Sequence, residues 1–307
     1  MLIIGGILLL GLAACSGGMN HAGGAVEAPS PGLDSTPRAI LSPTPSPSLF
    51  LDSGERGEVL IPSPTPTPTP EICSQTTGRV ESGELATDLL LEPLKYRVYL
   101  PPCYAEYLQR QYPALYWLHG QTYTEDQWLR LGAAETADRL LAEGIIPPVV
   151  MIFPAEQDHY TPPTDNTYGE ALLNALIPHI EREYRVRSER TYRAIGGLSR
   201  GGNWAIYLGI SQYEHFGVIG AHSAPGFVND SEQRLREWLR AIPEAQLPRI
   251  YLDTGADDRW RQYTLQLGEI LTDENIPHEW HQFQGVHDEN YWAAHLETYL
   301  RWYAQEW

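Results

Sequence analysis

Tyr192-Arg-Ala-Ile-Gly-Gly-Leu-Ser-Arg-Gly-Gly202 is the most informative stretch of the chain. A β-type run opens it at Tyr192–Ile195, and the helix-compatible Asn203-Trp204-Ala205-Ile206-Tyr207 follows it. Between them Gly197-Leu198-Ser199-Arg200-Gly201 satisfies G-x-S-x-G. A serine on a sharp strand-to-helix turn has a strained backbone and close neighbours, so the flanking residues must be small. Glycine at 196, 197, 201 and 202 meets that demand. The turn presents the Ser199 hydroxyl at the carboxyl edge of a sheet, near the positive end of the next helix.

Working outward, short apolar runs alternate with longer amphipathic stretches, the pattern of an α/β sheet with helices on both faces. The spacing predicts strands at Tyr96–Leu100, Leu115–Leu118, Val149–Phe153, Tyr192–Ile195, Val218–Ala221, Ile250–Asp253 and Glu279–Phe283. Helices are expected near 125–143, 168–184, 203–211, 230–241, 259–274 and 289–306. In the last of these Trp292, His295, Leu296, Tyr299, Leu300 and Tyr303 recur at spacings of three and four, which reads as core packing.

A serine at its free pKa is a weak nucleophile and needs a base held by an acid. Strand-edge nucleophiles of this kind are followed in the chain by Asp or Glu and then His. His287, in Gln284-Gly-Val-His287, lies in a post-strand loop that opens a helix. His278 and His281 flank or occupy a strand, and His295 belongs to the core stripe. For the acid, Asp253-Thr-Gly-Ala-Asp-Asp258 offers Asp258, with Asp257 and Asp253 as alternatives. Asp257 is also placed to cap the next helix, and Asp253 to end its strand. An oxyanion hole needs two backbone N–H groups. Arg200 supplies the residue after the nucleophile, and Gln121, freed to turn by Gly120, supplies the early-strand loop. His119 reads as a hydrogen-bonded residue shaping that loop, not as a second base.

Residues 95–304 resemble the esterase group of α/β-hydrolases that includes esterase D (S-formylglutathione hydrolase), feruloyl and other carbohydrate esterases, enterochelin esterases and the mycobacterial mycolyltransferases. The resemblance runs through Tyr96-Arg-Val-Tyr-Leu-Pro-Pro102, Leu118-His-Gly120, Ala175-Leu-Ile-Pro-His-Ile180, Gly197-Leu-Ser-Arg-Gly-Gly202, His215-Phe-Gly217, Gly255-Ala-Asp-Asp258 and Gly285-Val-His287. It implies an α/β-hydrolase fold with Ser199, Asp258 and His287 as catalytic triad, since the acid in that group stands three residues after the glycine. It also favours Gln121 as oxyanion donor. Arg200 departs from the group, many of whose members carry Met or another uncharged residue there.

The 307 residues carry 21 Lys plus Arg and 39 Asp plus Glu, a net charge of −18, which argues against nucleic acid as a partner. No metal-ligand, P-loop or dinucleotide fingerprint is present, so neither a metal nor a cofactor is expected. Leu2–Leu12 is an apolar run of signal-peptide length, too short to span a bilayer. It ends in Leu12-Ala-Ala-Cys15, which resembles the lipobox of bacterial lipoproteins, although no Lys or Arg precedes it. That resemblance implies a signal peptide over 1–15, acylation of Cys15, export, and membrane attachment through the lipid alone. Eleven of the 25 prolines fall between Pro29 and Pro70, so residues 16–72 read as an extended linker and 73–307 as the folded domain. Cys73 and Cys103, in an exported chain, are expected to pair. The function expected is a serine esterase acting on a small-molecule or glycan-linked ester. Alternatives are an acyltransferase onto a sugar, or a non-catalytic glycan-binding lipoprotein contacting its ligand through Trp128, Trp204 and Trp260.

Overall fold

In the computed structural model the described residues are 73–226 and 232–307, so the expected signal peptide, the expected lipidation site Cys15 and the expected linker lie outside them. Eight strands form one sheet in the order β1-β2-β4-β3-β5-β6-β7-β8. They are β1 (Arg79–Leu85), β2 (Leu94–Leu100), β3 (Ala114–Leu118), β4 (Val150–Pro154), β5 (Arg193–Leu198), β6 (Val218–His222), β7 (Arg249–Gly255) and β8 (Glu279–Phe283). The β1–β2 and β2–β4 pairs are antiparallel. All pairings from β4 to β8 are parallel. Strands β3, β4, β5 and β6 are buried along their whole length, as expected of parallel strands covered on both faces.

Alternation along the strands feeds two apolar layers. Tyr116 and Ile195 face a layer that contains Leu176, Trp204, Leu208 and Leu235. Leu115, Trp117 and Ala194 face the opposite layer, with Leu140, Leu296 and Tyr299. Helices α1 (Gln127–Arg130), α2 (Ala133–Ala142) and α8 (Glu289–Tyr303) contribute to the second layer. On the other face lie α3 (Tyr168–Ala171), α4 (Ile177–Glu183), α5 (Arg200–Ser211), α6 (Glu232–Ala241) and α7 (Arg261–Asp273). This is the α/β-hydrolase arrangement expected from the sequence.

Three elements differ from the expectation; one is the helix expected at 168–184, which passes through a π-helical segment at Leu172–Leu176 between α3 and α4. Strand β1 was not foreseen, because Arg79-Val-Glu-Ser-Gly-Glu-Leu85 is an edge strand that buries none of its seven residues fully and so lacks an apolar run. The helix expected at 125–143 is two helices, broken where Gly132 takes a left-handed φ of 98°. Cys73 and Cys103 form a disulfide with Cα atoms 5.7 Å apart and 30 residues between them in sequence number. It ties the first described residue to the turn after β2, a closure worth about 3–4 kcal/mol by loop entropy.

Candidate active site

Ser199 sits between β5 and α5 with φ 51° and ψ −119°, a backbone conformation rare outside glycine. Its N–H is held by the His222 carbonyl at 2.8 Å. A Cβ on Gly197 would lie 2.3 Å from the Gly201 carbonyl carbon, and one on Gly201 would lie 2.3 Å from the Leu118 oxygen. The turn can close only with glycine at both places. Gly196 differs from the sequence expectation. Its missing Cβ makes room for the Tyr303 hydroxyl, 1.8 Å from where that carbon would stand, and not for the serine turn.

His287 Nε2 lies 2.9 Å from Ser199 Oγ, and its Nδ1 lies 2.8 Å from Asp258 Oδ2. The structure therefore brings together the serine after β5, the acid after β7 and the histidine after β8, all beyond the carboxyl ends of parallel strands. Asp258 also accepts from the Trp260 N–H at 2.7 Å and from the Thr254 hydroxyl at 3.3 Å. Burial pushes the Asp258 carboxyl up, but the bonds from His287 and the Trp260 N–H outweigh it and hold the group below its ordinary value. Asp257 is exposed, and its backbone N–H is spent on the Gly285 carbonyl. The capping role read for it is not taken up: α7 (Arg261–Asp273) has no side-chain cap, and the Asp258 carboxylate instead closes a turn onto the Trp260 N–H just before the helix.

Asp253 belongs to a second constellation that sequence reasoning missed. Fully buried, it takes a hydrogen bond from His222 Nδ1 at 2.6 Å and from the Tyr291 and Tyr299 hydroxyls at 2.5 and 2.9 Å. His222 Nε2 in turn meets the Tyr303 hydroxyl at 3.0 Å. A histidine closing an otherwise apolar β6, together with tyrosines on the α8 stripe, was the available signal.

Ser199 and His287 open onto a cavity of about 600 Å³ that is also lined by Gln121, Arg200, Tyr160 and Trp260. Arg200 opens α5, so its N–H stands outside the helix ladder. Its guanidinium turns to Glu156, with Nε 2.7 Å from Oε2 and a second bond from the terminal nitrogen to Oε1. The pair is almost wholly buried. Burial raises the Glu156 carboxyl above its ordinary value, against the pull of Arg200. Glu156 was not singled out from sequence; an arginine beside the nucleophile, in need of a partner, was its only hint. His119 Nε2 accepts the Glu156 backbone N–H at 2.8 Å, which leaves Nδ1 to donate to the Gly120 carbonyl at 2.8 Å. This is the loop-shaping role read for His119, and burial lowers its pKa to about 4. Trp128 and Trp204 are 1% exposed, so neither can contact a glycan as the binding-module reading required; Trp260 does line the cavity.

Comparison with known proteins places these features in a family. The family model described as "Putative esterase" matches residues 89–303. An endo-1,4-beta-xylanase/feruloyl esterase of Xylanibacter ruminicola is 32% identical over 133 residues, which cover 40% of this chain but 18% of that protein. An acetyl esterase of Caldicellulosiruptor saccharolyticus is 22% identical over 61% of this chain and 82% of its own length. Among solved structures, a ferulic acid esterase of Anaeromyces mucronatus in complex with ferulic acid shares the fold. Its TM-score is 0.62 at 24% identity, over 73% of this chain and 90% of that one.

Proposed function

The chain belongs to this esterase family, and we propose that it is an exported serine esterase that hydrolyses carboxylic esters through an acyl-enzyme on Ser199. The observation that carries the reading is the unbroken hydrogen-bonded chain from Asp258 through His287 to Ser199 at the wall of an open cavity.

In the proposed reaction His287 Nε2 takes the Ser199 proton as Oγ attacks the ester carbonyl. The Asp258 carboxylate, kept ionised by its depressed pKa, holds the imidazole by Nδ1 and stabilises the charge that forms there. The N–H groups of Gln121 and Arg200 stabilise the oxyanion. His287 returns the proton to the leaving alcohol, water attacks the acyl-enzyme with His287 again as base, and Ser199 is regenerated. The aromatic residues Tyr123, Tyr160, Trp260 and Trp292 along the cavity suit an ester of an aromatic acid, such as the ferulate named for the relatives. Lipid attachment at Cys15, with residues 16–72 as tether, would hold the domain at the outer side of the membrane.

Treatment of the protein with a fluorophosphonate, followed by peptide mass spectrometry, tests the reading. The adduct is expected on Ser199, together with turnover of methyl ferulate. A folded protein that takes no label at Ser199 is not a serine esterase.

A further inference from the structure

Residues 155–167 run from the end of β4 along one side of the cavity, and Tyr160, Pro162, Pro163 and Thr164 of this segment line it. Three groups from the oxyanion side hold the segment. The Arg200 guanidinium donates to the Asp158 carbonyl at 3.0 Å and the Thr161 carbonyl at 2.7 Å, besides its paired bonds to Glu156. The Gln121 side-chain amide donates to the intervening His159 carbonyl at 2.9 Å. His119 accepts the Glu156 N–H. Inside the segment, Asp158 Oδ1 accepts the N–H groups of Tyr160 and Thr161 at 3.2 and 3.1 Å, which shapes the turn. Asn166 donates to the Asp158 carbonyl at 2.9 Å. Glu156 is further fixed by the Trp204 indole N–H at 2.8 Å.

Arg200 thus follows Ser199 directly in the chain and Gln121 follows the Gly120 turn at the cavity, and both are joined by side chain to the opposite wall. We infer that the Gln121 and Arg200 side chains are positioning residues for ester selection, clamping residues 156–161 so that Tyr160, Pro162 and Pro163 form a fixed wall against large substrates. The inference rests on the esterase reading. A guanidinium bound to a carboxylate and two carbonyls at once has the planar, multi-donor geometry that neither lysine nor an uncharged residue reproduces. Small esters that do not reach the wall gain nothing from it, whereas large ones lose contact area when it moves.

Steady-state kinetics of the full chain tests this with two ester series. One varies the acid at constant nitrophenol, acetate against cinnamate; the other varies the alcohol at constant acetate, ethyl against naphthyl. Arg200→Met is expected to lower kcat/KM for the larger member of at least one series about tenfold more than for the smaller, mainly through KM. Gln121→Ala, which alters an exposed side chain and keeps the backbone N–H, is expected to show the same bias at about threefold. Arg200→Lys should fall between wild type and Arg200→Met. An equal loss for all four esters in both Gln121→Ala and Arg200→Met, or no loss in either, overturns the inference. If Arg200→Met does not fold, Gln121→Ala decides alone. Wild-type labelling by fluorophosphonate separates the two levels: an unlabelled wild type overturns the esterase reading, while a labelled wild type with unbiased variants overturns only the clamp.

Discussion

Two histidine–aspartate pairs among the described residues have almost identical grammar. His287 reaches Asp258 at 2.8 Å and the Ser199 hydroxyl at 2.9 Å. His222 reaches Asp253 at 2.6 Å and the Tyr303 hydroxyl at 3.0 Å. What differs is where each chain of bonds ends. Ser199 lines the cavity, and the His287 side chain is 11% exposed. The Tyr303 hydroxyl is buried between β5 and β6, in the space left by the absent side chains of Gly196 and Gly220. His222 is stacked on Tyr299 with ring centroids 3.7 Å apart and is fully inaccessible. Burial also drives the Tyr303 phenol far above its ordinary pKa, so it stays a hydrogen-bond donor and not a nucleophile. Pairing with a carboxylate therefore does not make a histidine a catalytic base. In the proposed reaction it is the access of the attached hydroxyl to a substrate that makes His287 one. The buried pair instead ties β6, β7 and α8 together just beneath the turn that carries Ser199, whose N–H rests on the His222 carbonyl.

The sharpest way to break this contrast is to remove each histidine in turn. His287→Ala is expected to lower kcat/KM on a nitrophenyl ester by about 10⁴-fold or more, and to cost some stability as well, because the buried Asp258 carboxylate loses one of its three donors. His222→Ala should instead cost stability and largely spare activity. Leaving Asp253 buried without one of its three donors costs about 3–5 kcal/mol of unfolding free energy. The protein that remains folded should keep kcat/KM within about tenfold, because an alanine backbone still offers its carbonyl to Ser199. If His222→Ala abolished turnover at wild-type stability, the two pairs would have to be one relay.

The acids extend the comparison at a smaller scale. Asp258→Asn is expected to lower kcat by about 10²–10⁴-fold, because the amide cannot hold His287 in the required tautomer. Asp257→Asn, one residue away, should change kcat by no more than about twofold, since its side chain is exposed. A collapse of activity in Asp257→Asn would move the acid to that position.

How much of this was legible in the sequence follows from the range over which each residue acts. Ser199 and His287 announce themselves locally, one through four glycines between a strand and a helix, the other through a glycine-bearing loop after a strand. Asp258 was favoured by its place at the start of the next helix, and the family resemblance strengthened it against Asp257. The central parallel strands β3 to β6 were legible because each is an apolar run. Edge strand β1 was not, because half-exposed strands need only alternation. Glu156 and Arg200 lie 44 residues apart, and His222 and Asp253 lie 31 apart. Such pairs are made where the sheet order brings the ends of parallel strands together, β6 beside β7 and β4 one strand removed from β5, and no local pattern encodes which charged residue will find which partner. Tyr299 and Tyr303 of α8 were read as core and are core, yet a buried tyrosine hydroxyl needs a partner. Tyr299 and Tyr303, with His222 at the end of apolar β6, were thus the sequence hint of the second pair.

His119 offers the smallest effect and a third kind of histidine, one whose two nitrogens meet only backbone groups. Protonating it would turn the Nε2 acceptor into a donor facing the Glu156 N–H, and burial lowers its pKa from 6.5 to about 4. In the unfolded chain the same ring takes its proton near pH 6.5. Between those values the unfolded state binds more protons, so stability falls as pH drops through this window and the penalty levels off below it. The neighbouring Glu156 works in the opposite direction, since its raised carboxyl takes a proton in the folded state first and stabilises the fold as pH falls through its folded pKa. Asp258, with a lowered carboxyl, withdraws stability only at still lower pH, as pH falls through its own depressed pKa. Comparison of wild type with His119→Gln isolates the histidine, because both carry the same carboxyls. Urea unfolding at pH 7 and pH 4.5 should show the wild type losing about 2 kcal/mol more than the variant. Equal losses in the two proteins would mean that His119 is free to take up its proton in the folded state, and that its two backbone bonds do not fix the tautomer that ties the Gly120 turn to Glu156.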